Sequence, residues 1–183
     1  PDADEFRWNL STFIAYGFKS ISHFCWASPD RVSVEDGGED MRDHVIDQEG
    51  KRTALYEPAV YYNWQIRQLG DFLMGIDCVH AYHSGANTPE GVELLPKNFL
   101  LQPKNKSDNF IVSLFTSKDD SEKYIILMNN STSESRTAAF TVASESGVTG
   151  LTEIDDTIDR EKLPDYADLE NTLGELSRTP VEL

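Results

Sequence analysis

The sequence predicts an α/β first half followed by an all-β second half. Three observations carry that expectation. Apolar residues recur at helical spacing over residues 4–20 and again over 54–76. Beyond about residue 85 the apolar period falls to two, in short runs. Turn formers separate those runs, among them Pro103, Asn105, Asp119, Asp120 and Gly147.

Composition narrows the function. The chain has 183 residues, room for one domain or two. Its 16 basic and 32 acidic side chains give a net charge of −16. Such a surface does not neutralise phosphates, so no nucleic-acid partner is expected. Anionic lipid repels it, and no apolar run approaches the roughly 18 residues of a membrane span. Hydrophobic residues at 39% supply a core, which excludes global disorder. The chain opens on Pro1, with neither an initiator Met nor a basic segment before an apolar run. It is therefore expected to be a piece of a longer protein. Cys25 and Cys78 show no metal or redox spacing and read as buried free thiols, which leaves the compartment open.

Each element follows from local pattern. Over residues 4–20, Phe6, Leu10, Phe13, Ile14 and Gly17 form one apolar face, and Asp2, Asp4 and Glu5 suit the positive end of a helix dipole. Residues 20–26 read as a short buried strand, stopped by Pro29-Asp30. Helix followed by buried strand is an αβ unit, which usually feeds a parallel sheet. Residues 27–53 form a long polar loop, a length more often functional than idle.

The helix over 54–76 carries Val60, Trp64, Phe72 and Leu73 on one stripe, Pro58 in its first turn and Gly75 at its end. Cys78 continues the helical pattern. Strands are expected at 98–101, 110–115, 124–129, 137–143 and 151–154, with 110–115 and 124–128 as the central pair. This spacing argues an antiparallel sandwich. The acidic stretch 155–175 reads as an exposed excursion, and 177–183 as the start of one more strand. The organisation expected is thus 1–84 as a partial αβ unit and 85–183 as an antiparallel β-sandwich truncated at its end, linked by residues 87–91.

Several phrases then carry a family resemblance. Residues Phe6-Arg7-Trp8-Asn9-Leu10 and Ala15-Tyr16-Gly17-Phe18-Lys19-Ser20-Ile21, leading into Phe24-Cys25-Trp26, resemble the last barrel segment of family 42-like, β-galactosidase-type glycoside hydrolases. The stretch from Ile46 to Glu57 is similar to the entry to their final helix, and Tyr62-Asn63-Trp64-Gln65-Ile66 to that helix itself. The likeness covers roughly residues 5–76. It implies that 1–84 ends a (β/α)8 barrel, with 21–26 as strand eight and 27–53 as its βα loop. Active sites of such barrels form at these loops. It also implies a carbohydrate substrate, while the residues themselves offer no phosphate loop and no ligand cluster, so neither cofactor nor metal is expected. The two catalytic carboxylates of such enzymes lie on strands four and seven, upstream of residue 1. The chain alone is therefore expected to be inactive.

The resemblance puts Trp26 at the rim of a sugar pocket, with Asp30, Arg42 and His44 as loop candidates. An indole stacks on the apolar face of a pyranose and donates its N–H to a hydroxyl; otherwise Trp26 is an ordinary core aromatic. The loop departs from the family pattern, since the "E-x-F-H" phrase that binds galactose hydroxyls is absent. A solvated acidic loop is the plain alternative. Strand alternation sets Ser22, Phe24 and Trp26 on one face and His23 on the other, as a satisfied core histidine. His80 and His83 have H-x-x-H spacing but no further ligand in view. The competing function is a non-catalytic β-sandwich binding carbohydrate or a protein. All three Trp precede residue 85, which argues against it. Unpartnered apolar helix faces also predict self-association into homo-oligomers or aggregates.

Overall fold

A computed structural model describes residues 2–23, 26–27, 44–86, 88–155 and 177–181. The chain is mixed α/β, with two α-helices and antiparallel sheets. The first helix, α1, spans Ala3–Ala15. Asp2 caps it: its Oδ1 accepts the Asp4 and Glu5 N–H groups at 2.9 Å each, while Glu5 Oε2 accepts the Asp2 N–H at 3.1 Å.

This helix stops at Ala15, short of the expected residue 20. Gly17 takes φ +82, and its N–H reaches Ile14 O at 2.9 Å. The Phe18 N–H reaches Phe13 O at 3.0 Å, and the two phenyl rings meet edge to face at 5.5 Å. This is a Schellman closure with its hydrophobic contact. Gly17 ends the helix from a position that also matched its apolar period.

The strand expected over 20–26 is not formed among the described residues. Residues 20–23 carry no ladder, and Ala27 makes one isolated parallel bridge to Ile46. A strand needs continuous neighbours, and here the neighbour is only the short return at residues 44–46. Most of the long loop, with Asp30 and Arg42, lies outside the described residues. Its end folds as a turn on Asp47, whose Oδ1 accepts the Glu49 and Lys51 N–H groups at 3.0 and 2.7 Å.

The second helix, α2, spans Tyr56–Met74, with Pro58 in its first turn. Gly75 ends it, and the strand β1 starts at once at Ile76–His83. Ile76 and Cys78, expected on the helix, therefore lie in a strand. Their run, Ile-Asp-Cys-Val-His-Ala-Tyr-His, is β-branched and aromatic, and Gly75 breaks the helical period before it. The antiparallel sheet thus opens ahead of residue 85.

The further strands are β2 Leu101–Pro103, β3 Phe110–Ser117, β4 Lys123–Asn129, β5 Phe140–Val142, β6 Leu151–Asp155 and β7 Ser177–Val181. The main sheet has the order β1-β3-β4, with a bulge between Cys78 and His80. β2 pairs with β5, and β6 with β7. The pair expected at the centre, β3 and β4, does form, and β3 is the central strand.

One face of this sheet receives the helices. Ala15 packs with Ile111 and Met128, and Leu73 and Ile76 pack with Phe115. Trp8 Nε1 donates to Asn130 Oδ1 at 2.8 Å and Arg7 to Ser131 O at 2.8 Å, which docks α1 beside the end of β4. Phe110 meets Phe140 at 5.3 Å, which ties the main sheet to β5. No helix among the described residues is long and apolar enough to cross a membrane.

Candidate functional site

The candidate site is a row of aromatic rings that crosses from the start of α1 to the segment after it and on to α2. Trp26 stands at one end, 37% exposed. Its backbone is pinned, since its carbonyl accepts the Val45 and Ile46 N–H groups at 3.2 and 3.1 Å. Behind it, Val45, Leu55 and Ala59 form a small core with Phe6 and Tyr56. Thr53 holds the returning segment in place: its Oγ1 donates to His44 O at 2.5 Å, and its N–H to Val45 O at 3.0 Å.

The rings follow in sequence. Trp26 lies 5.5 Å from His23, and His23 stacks on Phe6 at 5.3 Å with 13° between planes. Phe6 meets Tyr62 at 6.4 Å, and Tyr62 meets Tyr61 at 5.1 Å. The His23 Nε2–H donates to Asn63 Oδ1 at 3.2 Å, which fixes the imidazole against α2. His23 is thus bonded, but it is part-buried rather than a core histidine, and it does not sit opposite Trp26. Without a regular strand the alternation of faces fails, and the two rings touch.

Chemically, this arrangement offers a half-open indole beside a polar imidazole–amide pair. Such a surface suits the C–H face of a sugar ring and one or two of its hydroxyls. Among the described residues the row carries no pair of carboxylates of the kind that glycoside cleavage uses.

The other candidates separate. His44 is only 4% exposed and its Nδ1 has no hydrogen-bond partner among the described residues, so its ring lies inside while Trp26 reaches the surface. Asp30 and Arg42 fall outside the described residues. The H-x-x-H pair is split: exposed His80 faces Glu93, with Nδ1 3.4 Å from Oε2, whereas buried His83 meets Tyr16. Among the described residues no group of His, Cys, Asp or Glu could hold a metal ion.

Phe6, Tyr62 and Asn63 were not singled out as site residues from the sequence. All three stand in the phrases that carried the resemblance, which was the available signal. Compared with known proteins, the chain matches no family model, no curated protein and no solved structure.

Proposed function

We propose that this chain supplies the sugar-contacting rim of a β-galactosidase-like, retaining glycoside hydrolase of the family 42 type. In this reading residues 1–84 end a (β/α)8 barrel, with 21–26 in the place of strand eight, although residues 20–23 carry no ladder here, and with Trp26 at the rim. Residues 85–183 form the β-sandwich that follows, and the catalytic carboxylates lie on strands outside these residues. One observation carries the reading: three phrases far apart in sequence meet in one aromatic row that ends on a half-exposed Trp26.

The test uses the chromophore itself. Trp64 is 2% exposed and Trp8 is bonded to Asn130, so Trp26 is the indole open to a ligand. Titration with methyl β-galactoside and short galactosides should change tryptophan emission with a millimolar Kd, about −4 kcal/mol. Trp26→Ala should abolish the change. Emission that ignores every sugar tried, or that Trp26→Ala leaves intact, would contradict the proposal.

The β1 strand favours a second reading, a carbohydrate-binding sheet face. It brings His80 and Tyr82 into the sheet, stacked at 5.2 Å, with Phe99 edge-on to Tyr82 at 5.3 Å. His80 and Tyr82 lie before residue 85, ahead of the half in which the sequence places the β domain. Loss of sugar binding in Tyr82→Ala, but not in Trp26→Ala, would select this reading. Either reading is compatible with self-association. A cleft of about 1820 Å³ between the helices and β4 to β7 is lined by Ile14, Leu69, Phe72 and Ile126, among others. Sedimentation of the isolated chain should show species above 20.6 kDa.

A further inference from the structure

The C-terminal end of α1 is clasped along β1, from its junction with α2 to its last residue, by contacts that the sugar site does not use. Tyr16 Oη lies 2.7 Å from His83 Nε2. Gly17 fits so closely against β1 that a Cβ built on it would run into Cys78 Cβ. Cys78 Sγ faces Ala15 O at 3.8 Å, and Lys19 Nζ donates to Leu73 O at 2.6 Å and to Ile76 O.

His83 is the buried member of the clasp, 5% exposed. Its backbone is locked on both sides, with its N–H on Glu93 O and its carbonyl on the Leu95 N–H, each at 2.8 Å. A neutral ring accepting the Tyr16 O–H at Nε2 carries its proton on Nδ1, and that nitrogen has no hydrogen-bond partner among the described residues.

Among the described residues no counter-charge is bonded to the ring from the elements around it. From α1 the facing group is Tyr16, and beyond it Lys19 adds positive charge to the clasp. From β3 it is Ile111, paired with His83. The Glu93 carboxylate faces His80, and the Asp108 carboxylate holds Arg136 at 3.0 Å. A proton added to His83 would turn Nε2 from acceptor to donor toward the Tyr16 oxygen. It would also place a charge in a buried site with no carboxylate partner among the described residues, and the cost of that buried charge is what opens the contact.

We propose that the Tyr16–His83 contact is a pH-operated latch, closed while His83 is neutral, that releases the end of α1 from β1 on acidification. The inference is independent of the sugar reading. Burial alone holds the His83 pKa below its ordinary 6.5. The sign follows. The contribution of His83 to stability is complete above that ordinary value and declines as pH falls through it toward the lower folded value.

The test is hydrogen exchange on the whole chain at about pH 7.5 and about pH 5.5, corrected for intrinsic rates. Amides of residues 12–19 should lose protection at the lower pH. Those of β3 should change less. His83→Gln should abolish this difference between the two pH values. Equal loss in wild type and His83→Gln would overturn the latch. Should His83→Gln fail to fold, a 15N titration of the wild-type imidazoles decides: a His83 pKa below 6.5 supports the latch, and one at or above 6.5 overturns it.

Discussion

The β1–β3–β4 sheet and the Trp26 row are both built from apolar side chains, yet they are held in different ways. β3 is bonded along its length by neighbours on both sides, and Phe110, Ile111, Val112 and Phe115 are buried. Trp26 is anchored by two backbone bonds and keeps more than a third of its surface in water. The difference teaches where to look for stability and where for recognition. Substitutions in β3 should unfold the chain, and substitutions in the row should spare the fold while removing binding.

The largest expected effect is on the sheet side. Phe115 is fully buried with Leu73 and Ile76, so Phe115→Ala should cost about 3–5 kcal/mol, read from denaturant unfolding. A smaller loss would mean that the sheet centre is looser than its burial indicates. Next comes Gly17, which joins the helical region to the sheet. Gly17→Ala should exceed the roughly 1–2 kcal/mol of a left-handed L-residue, because the new Cβ also meets Cys78 Cβ. Adding Cys78→Gly removes that obstacle, and a thermal-melt cycle should show the double variant recovering part of the loss.

On the row side, Trp26→Ala should lower stability by only on the order of 1 kcal/mol, in the same denaturant assay. A loss as large as that of Phe115→Ala would make Trp26 a core residue and erase the comparison. The smallest effect belongs to the β3–β4 turn. Asp119 accepts hydrogen bonds from the Ser117 and Ser121 hydroxyls and the Ser121 N–H, and these lower its pKa from 3.8 to about 2. Its contribution is present above the unfolded value and lost as pH falls from about 3.8 toward 2. Asp119→Asn should flatten acid unfolding slightly within that window.

What the sequence made legible follows the same division. Short apolar runs between turn formers located β3, β4, β5 and β6, and β3, buried on both faces, reads as a continuous apolar run rather than an alternation. The run from Ile76 to His83 follows α2 after a single Gly75 and breaks its own period with a bulge between Cys78 and His80, so no strand was expected there. At Gly17 one residue satisfied both the apolar period and the left-handed closure, and only the backbone distinguishes them. The row was partly legible. Trp26 and His23 were singled out, but their contact depends on the chain not being a strand. Phe6 and Asn63 reach His23 from positions 17 residues before it and 40 after it, a proximity that no local pattern encodes.

The central claim is that Trp26 is the ring that meets a sugar. The most direct measurement is a 1H–15N spectrum of the three indole N–H groups during titration with a galactoside. The account predicts that the Trp26 signal shifts in a saturable way, while Trp8, bonded to Asn130, and buried Trp64 stay in place. A Trp26 signal that stays fixed at millimolar sugar, or equal shifts of all three, would contradict it.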